Sequence, residues 1–357
     1  MKIGVIWVLL AGGLVVGCGP NPSGSSNDTA KSNGKIQAVA TVGMVAELVR
    51  NVGGEHVEVI QICGSGVDPH GYMATRDDVR DIMDAEIVFY CGLMLEGKMA
   101  DTLEKVGTSK TVVAVTDAIP AEDLLSGDDP SPDDHAKSAS SGPKQNANQR
   151  GSSPHSDPHL WNDVSLWSRC VGLVRDTLIE LDSDHAEQYA ANASAYESQL
   201  AELHQYGIQT IATIPDESRL LVTSHDAFSY FGRAYGLDVT GIQGISTESE
   251  AGLQQINGLV DLLIKRNVKA VFIESSVSPK NVEALIEGTQ SKGHQVSKGG
   301  TLFSDAMGAE GTYEGTYIGM LDHNLTTTAR ALGGVADAGG FQGKLSGANV
   351  DHLSLIH

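Results

Sequence analysis

A tripeptide occurs twice in the chain, as Asp68-Pro69-His70 and as Asp157-Pro158-His159. In each copy the proline ring fixes φ near about −65°, so the histidine leaves the main chain in a restricted direction and needs little further ordering before it binds something. Asp-Pro alone is a common turn opener; the repetition is what marks these two. His225, in Ser224-His225-Asp226-Ala227-Phe228, and Asp305, in Phe303-Ser304-Asp305-Ala306-Met307-Gly308, are the third and fourth candidates. Three imidazole nitrogens and one carboxylate form a donor set for a first-row divalent ion, Zn2+ or Mn2+. Glu274 ends the apolar run Val271-Phe272-Ile273. It can serve as an outer carboxylate that orients an imidazole, or simply close a strand at a cleft edge.

This donor set bears on the class of function. Zinc held by three imidazoles and a carboxylate is four-coordinate and closed, whereas hydrolytic zinc keeps a position for water. The sequence contains no His-Glu-x-x-His, no Gly-x-Ser-x-Gly and no phosphate loop, and an enzyme is not expected. Ser224-His225-Asp226 is not a catalytic triad, because triad members meet in space and adjacent residues rarely can. With 24 Lys and Arg against 45 Asp and Glu the net charge is −21, which disfavours nucleic acid and favours cationic ligands.

The elements that must position these residues alternate strand and helix. Strands are predicted at 36–41, 57–62, 87–90 and 112–115, with helices over 42–52, 75–84 and 95–106. After the second Asp-Pro-His a helix runs to about Leu181, and Tyr189, Ala193, Tyr196, Leu200 and Leu203 then fall at spacings of four, three, four and three. Continued through Ile208 and Ile211, this stripe makes one helix of nearly thirty residues, opened by Asp184 as N-cap with Glu187 three positions on and ended by Pro215. A second alternating half follows, with strands at 220–223, 239–242, 270–273 and 294–296 and helices over 227–235, 250–266, 282–292 and 317–332. The fold class is α/β: two lobes, each a parallel sheet wrapped by helices, joined by one long rigid helix. In open parallel sheets ligands bind outside the carboxyl ends of the strands. Two such sheets facing each other put His70 and His159 on one lobe and His225 and Asp305 on the other.

The chain divides accordingly. Residues 1–17 read as a signal peptide, whose apolar core from Ile3 to Val16 is too short to span a bilayer. Val15-Val16-Gly17-Cys18 is similar to a lipobox, which makes Cys18 the lipidated residue of an exported protein; residues 18–34 are a Gly-, Pro- and Ser-rich tether. The N-terminal lobe takes 35–183, with a mobile insert at about 124–156 that holds His135 and His155 among aspartates. The connecting helix takes 184–214, the C-terminal lobe 215–332, and a Gly- and Ala-rich tail expected to fray takes 333–357. Cys63, Cys91 and Cys170 lack Cys-x-x-Cys spacing, so no thiolate zinc site is expected, and no disulfide is assigned.

Five segments together resemble the metal-binding receptors of bacterial ABC importers for zinc and manganese, the cluster A-I or TroA-like solute-binding proteins. They are Gly66-Val67-Asp68-Pro69-His70, Asp157-Pro158-His159-Leu160-Trp161, Thr223-Ser224-His225-Asp226-Ala227-Phe228, Phe272-Ile273-Glu274-Ser275-Ser276 and Leu302-Phe303-Ser304-Asp305-Ala306-Met307-Gly308. The resemblance runs from about Ile36 to Leu332. It implies ligation by His70, His159, His225 and Asp305 between two lobes, a rigid connecting helix, and delivery to a membrane permease powered by a separate ATPase. It also implies that Tyr313 to Tyr317 shape the cleft. The protein is expected to be a monomer, lipid-anchored and facing the periplasm or cell exterior. Three nitrogens and one carboxylate favour zinc, with manganese next should Asp305 bind through both oxygens. The rival readings are an exported zinc metallohydrolase with Asp305 as base and a metal-stabilised surface adhesin. Because ligating imidazoles must be neutral, affinity is expected to fall as pH drops through about 6.5.

Overall fold

The computed structural model describes residues 34–127 and 156–345. Cys18, the signal segment, His135 and His155 lie outside the described residues, and no described helix is long and apolar enough to cross a membrane.

In the first lobe β1 (Ile36–Ala40), α1 (Gly43–Gly53), β2 (Val57–Gln61), α2 (Arg76–Asp84), β3 (Ile87–Tyr90), α3 (Ala100–Gly107) and β4 (Thr111–Ala114) alternate along the chain. Their strands form one parallel sheet in the order β2-β1-β3-β4. The two inner strands, Ile-Gln-Ala-Val-Ala and Ile-Val-Phe-Tyr, are almost wholly buried, as strands covered by helices on both faces must be. Thr75 caps α2 through a reciprocal box: its hydroxyl accepts from the Asp78 amide at 3.2 Å while Asp78 accepts from the Thr75 amide at 2.7 Å.

Next come α4 (Val164–Trp167), α5 (Cys170–Leu181) and the long α6 (Ala186–Ile211), which at 26 residues spans about 39 Å. Tyr189, Ala193, Tyr196, Leu200 and Leu203 are all buried along one stripe of it. Two details depart from the sequence expectation. Asp184 does not cap α6: it sits in a 3₁₀ turn, Ser183–His185, and Asp182 instead accepts from His185 Nδ1 at 2.7 Å and from the Tyr189 hydroxyl at 2.9 Å. Ile208 is 39% exposed, because the four-residue step from Leu203 lands on Gly207. A Cβ at Gly207 would stand 2.7 Å from the Tyr235 ring and 3.1 Å from Leu325, so the crossing requires glycine. Gly207→Ala is expected to cost a net 1 to 2 kcal/mol or so, the overpacking outweighing the gain in helix propensity. Denaturant unfolding measures this; a variant more stable than wild type would show a looser crossing.

The second lobe holds β5 (Leu220–His225), α7 (Ser229–Tyr235), β6 (Asp238–Gln243), α8 (Leu253–Lys265), β7 (Ala270–Glu274), α9 (Lys280–Ser291), β8 (Ser297–Leu302) and α10 (Tyr317–Ala331). Its strands pair in parallel as β5-β6 and β7-β8, with β5 packed beside β7. The expected strand at 294–296 is displaced: the strand is the polar, glycine-bearing Ser297–Leu302 that follows it. One apolar cluster runs from Ile36 through α1, α5 and α6 to Leu332, taking in Leu221, Phe272 and the buried face of α10; a smaller one gathers Leu220, Val222, Ile242, Val260, Val271 and Leu285. Residues of both lobes therefore share a continuous core.

The tail is docked as far as Leu345. Asp322, buried inside α10, accepts from the amide of Phe341 at 2.7 Å, Phe341 packs on Tyr206, and the Val335 amide donates to Thr213 Oγ1 at 2.7 Å. The described edges of the insert also meet, through an antiparallel bridge between Ser126 and Ser156 and an Asp157 amide donated to Leu125 O at 3.0 Å.

Candidate metal centre

Each copy of the repeated tripeptide uses its aspartate. Asp68 Oδ1 accepts from the His70 amide and Asp157 Oδ1 from the His159 amide, both at 2.9 Å. This two-residue turn fixes the direction in which the imidazole departs. The copies then differ. Asp157 Oδ1 also receives His159 Nδ1, at 2.7 Å, so the second copy holds its ring as well as its main chain.

His225 is the last residue of β5 and Glu274 the last of β7. Across that seam Glu274 takes both the His225 amide, at 2.9 Å to Oε1, and His225 Nδ1, at 2.5 Å to Oε2. One carboxylate thus bridges two strands and sets the tautomer that turns Nε2 outward. Asp305 follows β8 on a loop pinned from two sides: Trp161 Nε1 donates to Ser304 O at 2.8 Å, and Asn324 exchanges hydrogen bonds with both main-chain groups of Phe303, at 2.9 and 2.7 Å.

These elements bring His70, His159, His225 and Asp305 together, all four buried, with one ligating atom from each inside a 4.8 Å cluster. His70 Nε2 lies 3.2 Å from His159 Nε2; Asp305 Oδ1 lies 3.4 Å from His159 Nε2, and Oδ2 lies 3.2 Å from His225 Nε2 and 3.8 Å from His70 Nε2. Donor atoms placed 2.0–2.1 Å from a common tetrahedral centre are about 3.4 Å apart, so the spacing matches a first-row ion. Both carboxylate oxygens of Asp305 and Nε2 of His225 are buried without a hydrogen-bond partner. Buried polar atoms are almost always satisfied, and a cation held among these groups would satisfy all three.

The electrostatics are those of a clamp around one carboxylate. Burial disfavours the charged Asp305, but the His225 and His159 imidazoles facing it hold its carboxyl well below the usual range. Burial likewise pulls His225 down, but Asp305 and Glu274 more than reverse this and leave it well above the ordinary imidazole value. His159 responds in the same way to Asp157 and Asp305 and is pushed up to about 9. For His70, burial dominates over the attraction of Asp305, and its imidazole falls to about 4.

The family described as ZnuA, zinc-uptake complex component A, periplasmic, matches residues 38–331. The chain belongs to this family. It is 42% identical over 325 residues to the manganese-binding lipoprotein MntA of Bacillus subtilis, covering 91% of this chain and 97% of that one. It is 41% identical over 303 residues to the zinc-binding protein TroA of Treponema pallidum, covering 85% and 91%. Among solved structures, periplasmic zinc-binding TroA of Treponema pallidum superposes with a TM-score of 0.75 over 84% of this chain and 99% of that chain. ZnuA-family membership and this likeness establish the two-lobed α/β fold with its long connecting helix. Tyr313 donates to Asp322 at 3.1 Å and the buried Tyr317 to Trp161 O at 2.7 Å, and no residue from Tyr313 to Tyr317 lines the cleft beside His70. The sequence had marked Asp68 and Asp157 only as turn openers, although an aspartate two residues before a ligand-type histidine is a legible signal for a main-chain cap.

Proposed function

We propose that the chain is an extracytoplasmic receptor that holds one Zn2+ ion on His70, His159, His225 and Asp305 and delivers it to an ABC-type importer. The observation that carries this reading is the convergence of three imidazole nitrogens on the buried Asp305 carboxylate, whose oxygens lie 3.2–3.8 Å from them without a well-formed hydrogen bond. The ion is cargo here, and the protein's work is to hold it and let it go. Asp157 and Glu274 keep the Nδ1 protons of His159 and His225, so each ring offers Nε2 in a fixed direction. Lipidation of Cys18 would tether this soluble body to a membrane, and its partners would be a permease with its ATPase. Four protein donors leave no position for an activated water, which favours binding over hydrolysis.

Equilibrium dialysis followed by metal analysis tests the reading. One tightly held ion per chain, removable by chelation while far-UV circular dichroism stays unchanged, is the expected result. Unfolding on chelation would instead indicate a structural metal, and turnover of ester or peptide substrates an enzyme. Glu274→Gln is expected to weaken ion binding by about tenfold to hundredfold, as loss of an orienting partner does; unchanged affinity would assign Glu274 to the strand seam alone.

Manganese is the second reading, favoured by the 42% identity to a relative named manganese-binding. A carboxylate that engages through both oxygens raises the coordination number toward what Mn2+ accepts. Competition between the two ions at defined free concentrations separates them.

A further inference from the structure

Three observations set His70 apart from the other imidazoles. The rings of His159 and His225 are each fixed at Nδ1 by a buried carboxylate, whereas among the described residues none holds Nδ1 of His70; only its main-chain amide is held, by Asp68. Of the four clustered residues, His70 alone lines the cleft of about 600 Å³ that leads to solvent between Leu93, Met94 and Gly97 on one side and Gln243 and Glu248 on the other. Finally, the free oxygen of Asp68 is taken from across the cleft: Thr247, 179 positions along the chain and in the loop between β6 and α8, donates its hydroxyl to Asp68 Oδ2 at 2.5 Å. A second contact ties the loop of Thr247 to a different segment of the first lobe, the turn just before α3: Lys98 Nζ to Glu248 Oε1 at 2.6 Å.

We propose that Thr247 is a positioning residue that gates ion release: by holding Asp68 from the opposite lobe it fixes the main chain carrying His70, and loss of that contact lets His70 leave the ion first. This rests on the receptor reading given above. The chain Thr247–Asp68–His70 converts closure of two loops into the placement of one donor. When the hydroxyl withdraws, Asp68 is free to turn and the His70 amide loses its fixed acceptor. The ring has no carboxylate of its own to keep it in place. His159 and His225 stay anchored, so the ion is left on an incomplete set beside an open cleft. The Lys98–Glu248 pair is the weaker of the two cross-cleft contacts. Both side chains are nearly half exposed, at 47% and 46%, where solvent screens the attraction.

The test is stopped-flow release from the Zn2+-loaded full chain into a chromophoric chelator, at concentrations where the rate no longer depends on chelator. Thr247→Val is expected to release Zn2+ about tenfold faster, the scale of a lost hydrogen bond to a charged group, while Thr247→Ser keeps the wild-type rate. Lys98→Gln should change release by less than about threefold. The ion-free Thr247→Val protein loses the same hydrogen bond, so its denaturant midpoint should fall slightly while the protein stays folded. Wild-type release from a loaded Thr247→Val protein overturns the proposal, and so does faster release in Thr247→Ser. A wild-type chain that retains no Zn2+ after dialysis would instead remove the receptor reading beneath it.

Discussion

Asp305→Ala is expected to lose more than about a hundredfold in affinity for Zn2+, beyond the tenfold to hundredfold cost of removing an orienting partner, while the protein remains folded. Asp305 is the only anionic donor in the cluster. Its carboxylate also helps draw the two rings upward in pKa, after Asp157 for His159 and together with Glu274 for His225. Truncation therefore removes a donor and the counter-charge together. Breaking a buried ion pair ordinarily costs about 3–5 kcal/mol because a bare charge stays behind, but an imidazole can give up its proton, so the loss should be well below that range at pH 8. The prediction has two readouts: calorimetric titration for affinity, and denaturant unfolding of the ion-free protein for stability. Asp305→Asn preserves shape without charge and should lie between alanine and wild type in affinity. Retained tight binding in Asp305→Ala would remove Asp305 from the ligand set.

Of the four clustered residues, His70 and His159 were legible for a physical reason. Pro69 and Pro158 limit the backbone locally, and a restricted backbone leaves its mark in the sequence itself. The buried stripe from Tyr189 to Leu203 was legible because a regular 3.6-residue period is a local property. What escaped depends on partners far along the chain. Gly207 carries no apolar signal, yet the Tyr235 ring makes it the next buried position and turns Ile208 outward. Ser297–Leu302 lacks the alternation of a strand, but Gly299 lets the Phe272 ring lie where a Cβ would be 2.7 Å away, and the segment pairs with β7. The residues after Gly333 look frayed until Asp322 is known to be buried and to need donors. The Thr247–Asp68 contact is of the same kind, since nothing local to either residue announces the other.

Affinity for the ion should rise with pH well above neutrality, not only through about 6.5 as free imidazoles would have it. In the ion-free protein His159 titrates at about 9 and His225 well above the ordinary imidazole value, so both rings are protonated at pH 7. Their Nδ1–H groups donate to Asp157 and Glu274, which leaves the Nε2 protons as the ones an ion must displace. His70, at about 4, is already neutral and gives up none. Binding at pH 7 should accordingly release close to two protons, and the association constant should climb by up to about a hundredfold per pH unit until His159 is deprotonated. The stability of the ion-free protein runs the other way. A raised imidazole contributes stability that is complete below its unfolded value of about 6.5 and is lost as pH rises through the folded value. The depressed Asp305 contributes stability present above its unfolded value and lost as pH falls through the folded one. Both describe one ion-paired cluster, while the lowered His70 acts in the opposite sense and costs stability as pH falls from its unfolded value of about 6.5 toward about 4, so the ion-free protein should be most stable near about pH 6.5 and weaken toward both pH 9 and pH 4. Lowering the pH from 9 toward 6.5 thus favours the empty, clamped state at the expense of the loaded one. Calorimetric titration at pH 7 in buffers of different ionisation enthalpy counts the protons directly. A count near zero would mean that Asp157, Glu274 and Asp305 together do not hold His159 and His225 protonated before the ion arrives.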